Sequence, residues 1–347
     1  MDAFARLPAS ERRLACIATA DAKRLQAASV DKDFWVCWTL RALFSLPGVG
    51  DRITFKGGTS LSKAWGLIDR FSEDIDLVVD KDALGFGGDA APDTATGSNE
   101  RRRRLDRLMA ACKAWVQGDL QSALGRHITE RLGTDSHWKL EVDPDMADGQ
   151  CLLFHYPSAL PAAEAGYVRP VVKIELGARS DDWPAESRPI TPYIAEALPQ
   201  AMTNATFSVA ALTAERTFWE KAMLLHEETF RPADKPRKER MARHYYDLWC
   251  LITRGVADRA LTDRELFNRV AAQREIFFRL GWVDYSTLRP GTLRLTPPPE
   301  HHEHWRRDYD EMAIAMFYNE RPAFDDILRV AREFEQRFNA TAAPAAT

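Results

Sequence analysis

The sequence predicts an α+β fold, in which a sheet in the N-terminal part precedes a helical C-terminal domain. Apolar and polar residues alternate over 74–79 and 171–176, which is typical of strands with one buried face. Beyond about residue 206 the strand signals fade, and helical patterns dominate. The length of 347 residues and the 45% hydrophobic content suit one large domain or two ordinary ones.

Residues 9–46 are expected to form two helices, the second beginning near Asp31 and ending before Pro47, where proline and glycine interrupt the pattern. A short strand over 52–55 follows, and Gly57-Gly58 forms the turn that ends it. An amphipathic helix comes next, because apolar residues recur three and four positions apart at Leu61, Ala64, Trp65 and Ile68. The strand over 74–79 follows this helix.

Residues 81–100 are rich in Gly, Asp, Ala and Thr and predict an exposed loop. A helix over 101–132 is expected to precede strands near 138–143, 151–156 and 170–177. The C-terminal helices are predicted at 213–230, 241–254, 263–279 and 308–338, with a loop at Pro297-Pro298-Pro299. These elements predict a first domain over 1–205, a helical domain over 206–340 and a disordered tail over 341–347.

Charge and cysteine content exclude several classes of protein. The net charge of −4 argues against a protein that coats nucleic acid, although local basic clusters occur at Arg101–Arg104 and from Arg231 to Arg243. The N-terminus lacks a signal peptide, and the longest apolar stretch, Phe34 to Leu46, is too short to span a bilayer. The five single cysteines predict neither disulfides nor a cysteine zinc site. We expect a cytoplasmic protein without membrane association.

The turn from Gly57 to Ser60 is the first candidate binding site. A strand, a Gly-Gly turn and a helix beginning Thr59-Ser60 present backbone N–H groups and two hydroxyls at a helix N-terminus, where the helix dipole favours an anion. Phosphate is the anion that suits this arrangement. An ordinary tight turn with a Ser or Thr N-cap explains the same residues, so the segment alone does not decide the function.

Two aspartates on the next strand strengthen the case for phosphate chemistry. Asp74 and Asp76 alternate with Ile75, Leu77 and Val79, so both carboxylates leave one face, about 7 Å apart. Carboxylates so placed can share one or two Mg²⁺ ions, which usually bring the phosphates of a nucleotide with them. A solvated strand face is the alternative, but aspartate is disfavoured in strands. The pair therefore predicts a metal site.

A third acid follows the same pattern further along the chain. Lys173 and Glu175 share the polar face of a strand whose other face carries Val172, Ile174 and Leu176. If this strand neighbours the first, Glu175 completes a carboxylate triad and serves as general base or third metal ligand. An exposed Lys–Glu pair on an edge strand explains the segment equally well.

Four blocks of the sequence occur in a fixed order: Lys56-Gly57-Gly58-Thr59-Ser60-Leu61-Ser62-Lys63, Arg70-Phe71-Ser72-Glu73-Asp74-Ile75-Asp76-Leu77, Glu215-Arg216-Thr217-Phe218-Trp219-Glu220-Lys221 and Arg243-His244-Tyr245-Tyr246-Asp247-Leu248. This ordered set resembles the AbiEii-type nucleotidyltransferase toxins, a branch of the DNA polymerase β-like superfamily. The resemblance spans roughly residues 30–255. It implies a small mixed sheet that carries the carboxylates, flanked by helices, and a helical C-terminal domain that completes the active site.

The last two blocks add a lysine and an aspartate to the implied site. Asp247 lies in the apolar stretch from Tyr245 to Ile252, so its helix is predicted to be largely buried. A buried carboxylate needs a partner, and Lys221 is the obvious one, unless the ribose or base of a nucleotide lies between them. A salt bridge from Asp247 to Arg243 or His244 is the structural alternative. Lys221 could equally reach a triphosphate as a point charge.

The resemblance implies transfer of a nucleoside monophosphate from an NTP to an acceptor hydroxyl, with release of pyrophosphate. In this interpretation Asp74 and Asp76 bind Mg²⁺, with Mn²⁺ as the alternative metal, and Glu175 is the base or third ligand. Lys221 and Asp247 complete the catalytic set. Contacts to the nucleotide are expected from Gly57, Gly58, Thr59, Ser60, Lys63, Arg70, Ser72 and Lys221.

The resemblance further implies that the acceptor is RNA, in particular the 3′ end of tRNA, and that the protein is a toxin restrained by a cognate antitoxin. The basic segment 231–243 suits RNA phosphates. The alternatives are a related enzyme that modifies a small molecule or a protein, and a non-catalytic module that binds a nucleotide or a partner. The motifs do not distinguish α- from γ-phosphoryl transfer. His301, His302 and His304 predict a solvated loop rather than a zinc site.

Overall fold

The computed structural model describes residues 1–134, 137–165, 168–232, 234–317 and 321–342, and in this part of the chain seven strands form one mixed sheet. The strands are β1 Ile53–Lys56, β2 Ile75–Val79, β3 Lys139–Val142, β4 Cys151–His155, β5 Val171–Gly177, β6 Ala185–Ile190 and β7 Phe207–Leu212. Their order is β3-β4-β5-β2-β1-β7-β6. β2 pairs with β5 and β1 with β7 in parallel, and the other neighbours are antiparallel. The predicted mixed α+β class is confirmed.

Strands β6 and β7 are not predicted from the sequence. Pro189 in β6 has no backbone N–H to donate, and this is tolerated because β6 lies at the edge of the sheet. β6 also lacks the alternation of apolar and polar residues that marks the other strands. β7 falls where strand signals fade along the sequence, and only its pairing with β1 and β6 makes it a strand.

The chain divides into two units, which are described separately. The first comprises Met1–Trp65 and Phe71–Leu212, and the second comprises Gly66–Arg70 and Thr213–Thr347. The division follows Leu212 rather than residue 205, because β7 extends the sheet to that point. Of the tail predicted over 341–347, residues 343–347 lie outside the described part of the chain. Across the described ranges, no helix is long and apolar enough to cross a membrane.

The sheet of the first unit has one apolar face and one polar face. In the register of β2 and β5, Ile75 lies opposite Ile174 and Leu77 opposite Leu176, and all four are buried. The helices of this unit are α1 Asp2–Ala5, α2 Ala9–Lys23, α3 Ala27–Ser45, α4 Gly57–Lys63, α5 Ser98–Trp115, α6 Gln121–Leu132, α7 Ala162–Ala165 and α8 Tyr193–Ala197. Helix α3 supplies the buried Trp35 and Trp38, whose rings pack against Phe154 of β4. Residues with the opposite side-chain direction in β2 and β5 form the polar face.

The second unit is helical, as the sequence predicts. Its helices are α9 Ala214–Glu228, α10 Arg243–Thr253, α11 Val256–Thr262, α12 Arg264–Phe277, α13 His302–Met316 and α14 Phe324–Asn339. The single helix predicted over 308–338 is two helices, and Pro322 lies just before the second. His302 and His304 belong to the first turn of α13, not to a loop. Trp219 of α9 anchors the aromatic core of this unit, in contact with Phe218, Phe267, Phe334 and Phe338.

Candidate active site

Strand β1 passes directly into helix α4 at Gly57. The φ angle of Gly57 is +80°, in the left-handed region that favours glycine. A Cβ at this position would collide with Oδ2 of Asp76, which the antiparallel pairing of β1 and β2 sets opposite Lys56. The carboxylate of Asp76 therefore lies against the start of α4. Glycine is required at position 57 both for the backbone angle and for this close approach.

Thr59 fixes the backbone of the segment that leads into β2. Its hydroxyl is buried and donates to the carbonyl oxygen of Asp74 at 2.5 Å. The hydroxyl oxygen of Thr59 also lies 3.0 Å from Oγ of Ser72. Thr59 and Ser72 are predicted as nucleotide contacts. Their hydrogen bonds tie α4 to the residues beside the acids, which gives Thr59 a positioning role, and the nucleotide contacts stay a prediction.

Ser60 and Lys63 face the interior of the first unit. Ser60 is 1% exposed, and the ammonium of Lys63 lies 2.7 Å from Oδ1 of Asp33 and 3.7 Å from the centre of the Tyr193 ring. Burial alone would lower the pKa of Lys63, but the charge of Asp33 raises it above its ordinary value. Lys63 is therefore a charged residue engaged inside the unit. The phosphate contact predicted for it requires this ion pair to break.

The parallel pairing of β2 and β5 brings the three predicted acids to one face of the sheet. Asp76 lies directly opposite Glu175 in register. Asp74 precedes β2 by one residue and shares the side-chain direction of Asp76. All three are partly exposed. The condition on which the role of Glu175 depends, that its strand neighbours β2, is therefore met.

Glu175 is held by a lysine of its own strand. Nζ of Lys173 lies 2.6 Å from Oε1 of Glu175. Burial alone would lower the pKa of Lys173, but its hydrogen bond to Glu175 and the negative charges of Glu175 and Asp74 raise it above the ordinary value. Lys173 thus remains an ammonium ion among the acids. The polar face carries a mixed set of charges rather than carboxylates alone.

Two further charged residues lie beside the acids, and the sequence pattern does not predict either of them as a site residue. Lys56, opposite Asp76 in register, donates to Oγ of Ser180 at 2.7 Å. Asp143 is 7% exposed and lies 4.0 Å from the ammonium of Lys173. Asp143 comes just after β3 and accepts the N–H of Asp145, so in sequence it is an ordinary turn residue. Only the pairing of strands brings it to this face.

Of the three residues predicted as metal ligands, two lie on one face close together in sequence and the third is engaged by a lysine. Across the described residues, no three His, Cys, Asp or Glu side chains converge closely enough to hold a metal ion. Glu175 bonds to Lys173, so the role of third ligand predicted for it requires this contact to be exchanged. Asp74 and Asp76 remain as two oxygen donors on one face, and oxygen donors are those that Mg²⁺ prefers. These two residues fit the metal that the sequence predicts.

The second unit contains a buried ion cluster around Asp247. Asp247 is 0% exposed and accepts two hydrogen bonds from Arg70, at 2.7 and 2.8 Å. The ammonium of Lys221 lies 2.8 Å from Oδ2 of the same carboxylate. The expected pairing of Lys221 with Asp247 is thus present. Arg70, predicted to touch the triphosphate, has its guanidinium engaged by Asp247.

Charge within this cluster is set by burial and by the neighbouring ions. Burial alone would raise the pKa of Asp247, but Arg70 and Lys221 lower it well below its ordinary range. Burial lowers the pKa of Lys221, and the charge of Arg70 lowers it further against the opposing effect of Asp247. Nδ1 of His244 lies 3.5 Å from Lys221, and burial together with that positive charge lowers the pKa of His244. Asp247 is therefore ionised and His244 neutral at neutral pH.

The basic segment 231–243 divides into inward and outward cations. Arg231 and Arg237 both bond to the buried carboxylate of Glu228, at 2.5 and 3.2 Å. Lys235 and Lys238 are exposed. The arginines therefore hold the segment in place, and the lysines present positive charge to solvent.

Comparison with known proteins identifies the family. Among solved structures, the chain is similar to MenT4, a nucleotidyltransferase toxin from Mycobacterium tuberculosis H37Rv, with 17% sequence identity and a TM-score of 0.45 over 96% of this chain and 99% of that one. Among curated proteins, none matches the chain. The family model described as nucleotidyl transferase AbiEii toxin, type IV toxin–antitoxin system, matches residues 38–330. The resemblance seen in the four sequence blocks is confirmed, and the chain belongs to the AbiEii family of nucleotidyltransferase toxins.

Proposed function

We propose that this toxin moves a nucleoside monophosphate from an NTP to the 3′ hydroxyl of an RNA acceptor, in particular tRNA, in the cytoplasm. The observation that carries the proposal is the approach of the Asp76 carboxylate to Gly57 at the start of α4, with Asp74 on the same face. A carboxylate pair beside a glycine turn combines a metal site with a phosphate site. This juxtaposition supports phosphoryl chemistry more directly than any motif alone.

In the proposed reaction, the acceptor oxygen forms a bond to the α-phosphorus of the NTP. The bond from that phosphorus to the oxygen that bridges to the β-phosphate breaks, and pyrophosphate leaves with the bonding electrons. The hydroxyl proton passes to a carboxylate, for which Glu175 is the candidate because it lies opposite Asp76. Glu175 exchanges its bond to Lys173 for one to the hydroxyl, which releases the ammonium of Lys173 to neutralise a phosphate.

Asp74 and Asp76 are the proposed ligands of Mg²⁺, with Mn²⁺ as the alternative. When bound, such an ion stabilises the negative charge that develops on the transferred group. Gly57 and Gly58 present backbone N–H groups to the phosphates, and Thr59 holds the Asp74 backbone in place. These residues orient the NTP relative to the acids.

In the second unit, Lys221 is the proposed contact to an anionic group of the substrate. Asp247 holds its ammonium in position, and Arg70 fixes the carboxylate of Asp247, since a buried cation needs a fixed counter-ion. Asp247 and Arg70 are positioning residues in this proposal, and Lys221 is the catalytic one.

The test is incubation of the purified full-length chain with each of the four NTPs labelled at the α-phosphate, together with Mg²⁺ and total tRNA. We expect transfer of label to tRNA, and a loss of roughly 100-fold or more in Asp74→Asn and Asp76→Asn. Asp21→Asn is the matched control, because Asp21 is an exposed acid of α2 in the same unit. Absence of transfer with every NTP, or equal transfer by Asp74→Asn and the wild type, would overturn the proposal.

Two further arms separate the remaining alternatives. Label at the γ-phosphate should stay off the tRNA, since its appearance there would indicate a kinase. Expression of the wild-type chain should arrest growth, and a cognate antitoxin expressed beside it is proposed to restore growth. Expression of Asp76→Asn should leave growth unaffected.

A further inference from the structure

A cavity of about 170 Å³ opens in the second unit, and none of the residues assigned to catalysis lines it. Three aromatic rings and a proline ring line one part of it, and polar side chains line the rest. The lining residues are Asp69, Tyr246, Trp249, Thr253, Arg254, Phe317 and Pro322. At roughly 30 Å³ per water molecule, the cavity is about six waters in size, which suits one planar ring system.

The aromatic wall of this cavity is held in a fixed arrangement. Tyr246 is 3% exposed, and its ring contacts Phe317 edge to face at 4.5 Å. The ring of Trp249 is nearly parallel to that of Tyr246, with 6.1 Å between the centroids and 28° between the planes. A backbone bridge between Phe317 and Arg70 fixes the far side. Because the rings are already packed, a ligand that stacks on Trp249 orders few side chains on binding.

The polar side of the cavity carries both hydrogen-bond donors and acceptors. Arg254 forms an ion pair with Asp69 and also donates to the carbonyl oxygen of Gly66 at 3.2 Å. The hydroxyl of Thr253 donates to the carbonyl of Trp249 at 2.9 Å. The guanidinium and the carboxylate are thus held beside the aromatic wall. A ligand with a flat apolar face and a polar edge matches both parts of the lining.

We propose that this cavity binds an unpaired nucleobase, with Trp249 as its stacking platform and the Asp69–Arg254 pair at its hydrogen-bonding edge. An aliphatic ligand would form no hydrogen bonds with the Asp69–Arg254 pair, whereas the polar edge of a nucleobase can form them. Nucleobases stack on aromatic side chains whatever their sequence, because every base has a π-face. The inference rests on the proposed function, in which the chain handles nucleotides, and adds a base-binding subsite to it.

The base could belong to the NTP or to the acceptor strand, and both would present the same chemistry. The experiment therefore uses two probes, 2-aminopurine ribonucleoside triphosphate and a single-stranded RNA trinucleotide with 2-aminopurine at its centre. The fluorescence of 2-aminopurine falls when the base stacks. Titration of the full-length chain should quench at least one probe in a saturable manner, and the probe with the higher affinity identifies the source.

Trp249→Ala should weaken binding of that probe by about 5- to 150-fold, the range expected for loss of one stacking residue. Trp249→Phe keeps a ring and should retain most of the affinity, which separates stacking from a folding defect. Asp69→Asn with Arg254→Met leaves the aromatic wall intact and should weaken binding less than Trp249→Ala. Trp183→Ala is the control, since Trp183 is a 48% exposed tryptophan of the first unit.

Failure of this inference is distinguishable from failure of the proposed function. If label transfer depends on Asp76 but Trp249→Ala, folded by circular dichroism, quenches both probes as the wild type does, the base pocket is refuted and the nucleotidyl transfer stands. If quenching depends on Trp249 while no NTP gives transfer, the pocket is supported and the proposed reaction is refuted. Absence of quenching in the wild type refutes the pocket.

Discussion

Asp247 is a buried carboxylate bonded to two cations, and removal of its charge has a predictable effect on stability. Asp247→Asn would leave Arg70 and Lys221 buried without their shared counter-ion. We expect a loss of about 3–5 kcal/mol in the free energy of unfolding, measured by urea denaturation. The control is Glu333→Gln, which breaks an exposed ion pair with Arg329 and should change stability by less than about 1 kcal/mol. Similar values for the two variants would contradict this account of the cluster.

His226 should make stability depend on pH in a defined window. Its Nδ1 accepts the N–H of Arg294, and its Nε2 lies 2.9 Å from the Thr287 hydroxyl, so the folded ring is neutral. Burial, with the charge of Arg294, lowers the pKa of His226 to about 4. Unfolding restores a pKa of about 6.5, so only the unfolded state gains a proton as the pH falls from about 6.5 to 4. This residue therefore contributes about 3 kcal/mol above pH 6.5 that is lost by pH 4.

The measurement for His226 is thermal or urea unfolding at several pH values between 4 and 7. His226→Asn keeps an acceptor near the position of Nδ1 but does not titrate. Its stability should fall less steeply across this window than that of the wild type, by up to about 1.4 kcal/mol per pH unit. Equal slopes would show that His226 does not carry the effect.

For single residues, the local sequence pattern predicts the face of the strand on which a side chain lies, but not the residue that it contacts. The alternation around Asp74, Asp76 and Glu175 correctly places them on a polar face, because strand periodicity is a property of neighbouring residues. The partners of Lys63 and Arg70, in contrast, are distant in the sequence. Arg70 meets Asp247 across 177 positions of the chain, and no local pattern contains that contact.

The β1–α4 connection is the element on which the candidate site depends. Gly57→Ala should introduce left-handed strain and also displace the carboxylate of Asp76, so transfer should fall by much more than stability explains. Gly48→Ala is a matched control: its φ is +71°, but a Cβ there meets nothing within 4 Å. We expect both variants to lose about 1–2 kcal/mol from backbone strain, and Gly57→Ala alone to lose nucleotidyl transfer. Full activity in Gly57→Ala would contradict the close approach of Asp76.

Prediction of the elements from sequence succeeds where the pattern is long and fails where pairing decides. The five strands predicted from the sequence show either an alternation of apolar and polar residues or a run of apolar residues. The edge strand β6, with Pro189, is held in the sheet by its pairing with β7. Helix α11 is missed because it is short and follows α10 after a turn at Gly255, whose φ is +75°. Its existence depends on packing against α9 and α10 rather than on its own periodicity.

For the whole molecule, the net charge of −4 means that binding of the proposed RNA acceptor would depend on local positive charge. Lys235 and Lys238 are the exposed lysines of segment 231–243. Lys235→Gln with Lys238→Gln should weaken tRNA binding and reduce the slope of log affinity against log salt by roughly one per lysine. Filter binding or fluorescence anisotropy over a salt series measures both quantities.

Arg102→Gln is the control for charge removal elsewhere on the molecule. Arg102 is an exposed residue of α5, in the arginine run that the sequence assigns to a solvated helix start. It should leave affinity and salt slope close to those of the wild type. Equal effects of the lysine pair and Arg102 would indicate diffuse attraction, and no effect of either would favour a small-molecule or protein acceptor.

The assignment of Gly66–Arg70 to the second unit has a consequence for how this protein can be made and divided. These five residues lie between β1 and β2 in the sequence but belong structurally to the second unit. The rest of that unit is synthesised only from Thr213 onward. During synthesis, Arg70 therefore emerges well before the carboxylate that it serves. A fragment starting at Thr213 would therefore lack Arg70, the partner of Asp247. If the two halves were expressed separately, Arg70 would be on a different chain from Asp247.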